Sequence, residues 1–176
     1  MNANVGGVAI NPPGCVGLPL HASGFADPTY YSSESRPHSC KLNLGWQLAD
    51  VGPDDGGFAC LPGSHRANFP CPDDIRLYEA HEDRFVQISA KAGDGILFCE
   101  TLMHGALPWV AGHQRRSVII RYNHGAQAEG VMGTWTPPDF FDELTEKQQA
   151  VISHPHYRGE DKGSPLYERP ARQEES

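Results

Sequence analysis

Trp46-Gln-Leu-Ala-Asp-Val-Gly-Pro-Asp-Asp-Gly-Gly-Phe-Ala-Cys-Leu-Pro-Gly-Ser-His65 reads as strand, tight turn, strand and second turn. Pro53-Asp-Asp-Gly-Gly57 is the tight turn, because glycine supplies positive φ at no steric cost. Upstream, Cys40–Val51 alternates, with Leu42, Leu44, Trp46 and Leu48 on one face and Asn43 and Gln47 on the other. Such alternation marks a half-buried strand whose apolar set faces the core. Downstream, Gly93-Asp-Gly-Ile-Leu-Phe-Cys-Glu-Thr-Leu-Met-His104 turns into a strand at Ile96–Cys99 and delivers a histidine beyond it.

Working outward, Phe85-Val-Gln-Ile-Ser89 and Ser117–Tyr122 read as further strands, and Val5–Ile10 as a short one. Residues 22–39 form a long polar loop, and residues 66–84 are irregular and acidic. Thr136-Pro-Pro-Asp139 resembles a helix start. Phe140, Phe141, Leu144 and Val151 then give a helical stripe, broken near Thr145, before a polar tail from residue 153. Short apolar runs at regular spacing predict an all-β antiparallel sandwich or jelly roll over residues 1–135, with a short C-terminal helix and tail over 136–176.

A net charge of −8 argues against a nucleic-acid partner, since phosphate binding needs basic surface. The five cysteines are odd in number and widely spaced, and Cys60 and Cys99 lie within apolar runs. A reducing, cytoplasmic setting is therefore expected, with no membrane span.

Most of the nine histidines lie in polar loops or the tail, where solvation explains them, and His65 reads as a structural turn residue. His104 differs, following an apolar strand and preceding Gly105, which would let the backbone pass close to a ligand. His21 closes an apolar run where the long polar loop opens. Either could instead be an internally satisfied histidine. Strand residues alternate faces, so one of Arg115 and Arg116 should point inward beside His104. An inward arginine is costly unless paired. A bound carboxylate suits its planar fork, and the alternative is an internal salt bridge to Asp94 or Glu100.

The Trp-x-Leu-x-Asp strand, the Gly-Gly-Phe turn, Pro-Gly-Ser-His, Gly-Asp, His-Gly and Arg-x-Ser-hydrophobic follow one another in fixed order from about Leu18 to Tyr122. In that order they resemble the phytanoyl-CoA dioxygenase family of Fe(II)/2-oxoglutarate oxygenases. The resemblance implies a double-stranded β-helix, cupin-like, with Fe(II) and 2-oxoglutarate as cofactors and a small molecule and O₂ as partners. Carried onto this chain, it implies His21 and His104 as iron ligands and Arg115 as the anchor of the oxo-acid carboxylate, with Arg116 as second choice. It also implies that Trp46 lines the co-substrate pocket.

One position departs from the family pattern. Ser23 stands two residues after His21, where the family carries an aspartate. Glu100 or Asp27 could supply the missing carboxylate, a halide could take its place as in related halogenases, or the protein could be a non-catalytic binding module. A cupin-like metal hydrolase or isomerase is a further alternative. Family members are usually longer at the N-terminus. The prime substrate and the oligomeric state are not readable from the sequence.

Overall fold

The computed structural model describes residues 2–23, 30–34, 36–67, 69–123 and 138–153. Its strands are β1 (Asn2–Asn11), β2 (Leu18–His21), β3 (Tyr30–Ser33), β4 (Arg36–Ser39), β5 (Lys41–Gln47), β6 (Gly57–Cys60), β7 (Val86–Gln87), β8 (Gly95–Cys99), β9 (His104–Leu107) and β10 (Arg115–Asn123). Two short helices, α1 (Asp73–Arg76) and α2 (Glu146–Ile152), join 3-10 turns at Ser64–Arg66, Glu82–Arg84 and Phe141–Glu143.

One four-stranded sheet has the order β1-β10-β5-β8 and the other β2-β9-β6-β7, while β3 and β4 form a separate hairpin. Leaving that hairpin aside, the chain shuttles between sheets: β1 in the first, β2 in the second, β5 back in the first, β6 and β7 in the second, then β8, β9 and β10 in alternation. That winding is the double-stranded β-helix expected. Phe58 of β6 and Phe98 of β8 meet across the sheets at 4.8 Å between ring centroids, and Leu20, Val51, Ala59, Cys60 and Trp109 are buried with Phe98.

By its internal contacts the chain divides into Val5–Arg121 and a second unit of Met1–Asn4 with Tyr122–Ser176. In the second unit, α2 begins at Thr145, where a capping box with Gln148 satisfies the first-turn N–H groups. The break expected near Thr145 is therefore the helix start itself. Thr136, Pro137 and the tail from residue 154 lie outside the described residues.

Two expectations need correction. The face of β5 that is buried is the polar one: Asn43 and Gln47 are 3% and 2% exposed, whereas Trp46 and Leu48 stand out at 42% and 54%. The alternation was real and its direction was opposite, because this strand turns its polar side toward an interior that carries charged groups. The 22–39 stretch is also more than a loop. Tyr30 pairs with Ser39 and Ser33 with Arg36 in a hairpin, turned at Glu34 with φ of 50°. Its strands are too polar to announce themselves by hydrophobic period. Finally, no helix among the described residues is long and apolar enough to cross a membrane.

Candidate metal centre

His21 and His104 face each other across the β2–β9 pair, with ring centroids 4.4 Å apart. Each ring is fastened to its own strand two residues upstream. His21 Nδ1 lies 3.0 Å from the Pro19 carbonyl, and His104 Nδ1 lies 2.7 Å from the Leu102 carbonyl. A carbonyl oxygen only accepts, so in each ring Nδ1 carries a proton and donates, and Nε2 is the nitrogen left outside that bond. This is how a protein fixes the tautomer and aim of a metal-binding histidine. Burial holds the His104 ring below the usual histidine range, the Leu102 bond opposes this more weakly, and the neighbouring His21 adds to the lowering. Gly105 serves strand approach rather than a ligand: a Cβ there would lie 2.5 Å from the Leu18 carbonyl oxygen.

Behind this pair sits a buried polar network that the sequence did not reveal. Arg121 Nη2 donates to Glu100 Oε1 at 2.8 Å, Asn43 Nδ2 donates to Glu100 Oε2, and Arg121 Nε donates to Asn43 Oδ1 at 3.4 Å. Both Glu100 carboxylate oxygens are thus engaged, so this acid is built into the wall rather than offered to a metal. Ser23 is exposed, and its backbone N–H donates to the Glu100 carbonyl at 3.2 Å. Asp27 lies outside the described residues. Among the described residues no group of three His, Cys, Asp or Glu side chains could hold a metal ion. Two imidazole nitrogens are donors of the kind divalent transition metals take, and among the described residues no carboxylate joins them.

Arg115 and Arg116 divide as strand alternation requires. Arg116 is exposed and donates to Gln114 Oε1 at 2.7 Å, while Arg115 is only 6% exposed. Arg115 Nη1 donates to Asn11 Oδ1 at 3.1 Å, but its Nε is buried without a hydrogen-bond partner. No carboxylate of the described residues pairs with it, since Glu100 is held by Arg121 and Asp94 accepts from the Lys91 N–H. Burial lowers the Arg115 pKa. Gly57, at φ 79°, makes the room: a Cβ there would come within 3.1 Å of Arg115 Nε. Ser117 Oγ on the same face of β10 and Gln47 Oε1 on neighbouring β5 are also buried and unsatisfied. Native interiors rarely leave such groups unpaired, and a bound carboxylate is the kind of guest that would satisfy the donors.

Trp46 does not share this interior; it lies on the outer face of β5. A pocket-lining role does not fit that placement, and Gln47 occupies the inward position instead. His65 is half-buried, its ring edge-on to Tyr30 at 5.3 Å. His38 stacks on Tyr31, His113 Nε2 bonds the Asp50 carbonyl, and His124, His154 and His156 lie outside the described residues. A cavity of about 1060 Å³ opens from His21, walled by the 61–84 segment and Met103.

The chain matches the phytanoyl-CoA dioxygenase (PhyH) family over residues 10–117. It is 28% identical over 116 residues to the ectoine dioxygenase of Sphingopyxis alaskensis, covering 54% of this chain and 38% of that protein. Among solved structures it resembles HygX from Streptomyces hygroscopicus with nickel and 2-oxoglutarate bound (TM-score 0.60, 20% identity, 69% of this chain and 55% of that one). It also resembles EctD from S. alaskensis with 2-oxoglutarate and 5-hydroxyectoine (TM-score 0.55, 24% identity, 73% and 48%). The chain spans about half the length of these structures, or less in the case of the curated relative.

Proposed function

The chain belongs to the phytanoyl-CoA dioxygenase family, and from that premise we propose that it is an Fe(II)- and 2-oxoglutarate-dependent oxygenase, hydroxylase in type, acting on a small molecule. The observation that carries this reading is the pair of facing histidines, each with Nδ1 committed to a backbone carbonyl and Nε2 left available to a metal. His21 and His104 hold the iron through these nitrogens. Arg115 holds the distal carboxylate of 2-oxoglutarate, its unsatisfied Nε supplying one of the donors. When bound, the metal and 2-oxoglutarate supply the oxidising chemistry with O₂. The chain's share is to aim both rings and to exclude water from His104, against which Phe98 and Phe58 lie at 4.5 and 6.1 Å.

Ser23 favours a second reading in which the site binds without hydroxylating, or takes a halide where the carboxylate would stand. The test begins with anaerobic addition of Fe(II) and 2-oxoglutarate to the purified protein. A visible charge-transfer band in the wild type, lost in His104→Ala and Arg115→Ala, supports the chelating site. No band at saturating iron refutes it. Succinate release on admitting O₂ then separates a working oxygenase from a binding module, and chloride-dependent products separate halogenation from hydroxylation.

A further inference from the structure

We propose that the cavity opening from His21 takes a small organic monoanion, a carboxylate on an apolar body, and that Arg66 recognises the carboxylate. What is then done to this ligand rests on the oxygenase reading; its binding does not. Much of the lining is apolar, with Leu20, Leu61, Ile75, Val86 and Met103 among its residues. Burying such a surface against a hydrocarbon body contributes roughly 25 cal/mol per Å², and it gives no foothold to a charged one.

The charged residues of the lining can be counted. Arg66, Arg76 and Arg84 all line the cavity. Arg76 Nε is 2.9 Å from Asp73 Oδ1, and Arg84 Nε is 3.4 Å from Asp83 Oδ2. Arg66 has no acidic partner among the described residues. One uncompensated cation suits one negative charge. The several phosphate charges of an acyl-CoA would need more, and the net charge of −8 repels such a molecule at longer range.

The turn that carries Arg66 is tied to the segment leading into His104. Arg66 ends the Ser64–Arg66 turn, and Ser64 Oγ accepts from the Met103 N–H at 2.8 Å. Leu61 N–H donates to the Met103 carbonyl at 2.9 Å, and Met103 is the residue before His104. The backbone that carries Arg66 is thus pinned to the strand that carries a metal-facing ring. A carboxylate held by Arg66 would set which part of the apolar body reaches His21.

The test is titration calorimetry on the full chain without iron or 2-oxoglutarate, using octanoate, octanamide and octanoyl-CoA as probes. Octanoate should bind about tenfold tighter than octanamide. Arg66→Gln should erase that difference with an unchanged melting temperature, and Arg66→Lys should restore part of it. Equal binding of octanoate and octanamide would overturn the assignment, as would an unaltered preference in Arg66→Gln, tighter binding of octanoyl-CoA, or no octanoate binding at millimolar concentration. Since no metal is present, absence of the charge-transfer band would sink the oxygenase reading and leave this result standing, and the converse also holds.

Discussion

Replacing Arg115 with methionine should make the ligand-free protein more stable and remove its response to 2-oxoglutarate. The wild-type guanidinium is buried, has Asn11 as its side-chain partner and leaves Nε unsatisfied. An unsatisfied buried donor costs about 1–3 kcal/mol, and the cation adds a desolvation penalty of several kcal/mol. Arg115→Met relieves both, but forfeits the Asn11 bond, worth about 1.5–3 kcal/mol for a charged donor, and leaves Asn11 Oδ1 without that donor at a further cost of about 1–3 kcal/mol. The net gain is about 1–2 kcal/mol, or roughly 2–8 °C in Tm for a domain of this size. With Fe(II) held anaerobically, 2-oxoglutarate at a hundred times its Kd should add about 2.7 kcal/mol to the wild type and nothing to the variant. Thermal unfolding with and without 2-oxoglutarate reads both effects. A ligand-free variant less stable than wild type by 1 kcal/mol or more would show the guanidinium to be fully compensated without a guest, and the argument for a carboxylate site would fail.

Further perturbations address the rest of the site. Ser23→Asp places a carboxylate two residues from His21 and should tighten Fe(II) binding by at least about tenfold; unchanged affinity by metal titration would show that this backbone cannot complete the site. Glu100→Gln removes the charge that Arg121 and Asn43 share, and because Arg121 is 30% exposed and can rehydrate, the loss should be about 2–3 kcal/mol in denaturant unfolding. Tyr78 donates to the Leu18 carbonyl, and burial, helped by nearby Cys60, pushes its pKa up to about 12 from 10.0. The folded phenol therefore stays neutral while the unfolded one ionises, so stability is full below pH 10 and falls between pH 10 and about 12. Tyr78→Phe should flatten that decline, as unfolding curves across the range would reveal.

The all-β class was legible because strand periods and glycine turns are local signals, and the winding of the sheets came through the resemblance in motif order. The Pro53–Gly57 turn and the strands flanking it stand where the residues indicate. The resemblance in order and spacing singled out His21, His104 and Arg115; the two histidine ring centroids lie 4.4 Å apart and Arg115 is buried. Burial direction was not legible. An alternating strand states that its two faces differ, and only the content of the interior decides which is inside. Here the interior contains Glu100, Arg115 and Arg121, so β5 turns Asn43 and Gln47 inward and leaves Trp46 outside. The Glu100–Asn43–Arg121 network escaped for a related reason, since its members are 57 and 21 residues apart in sequence and only sheet pairing unites them.

The ring-to-carbonyl bonds of His21 and His104 carry a consequence for how this scaffold can change over evolutionary time. Each acceptor is main chain, from Pro19 and from Leu102, within the same strand or its approach. The aim of the two donor nitrogens is therefore specified by backbone path and not by the identity of a neighbouring side chain. Mutations among the cavity-lining residues of 61–67 and 69–84 can reshape what enters the cavity while the aim of the two rings is inherited intact.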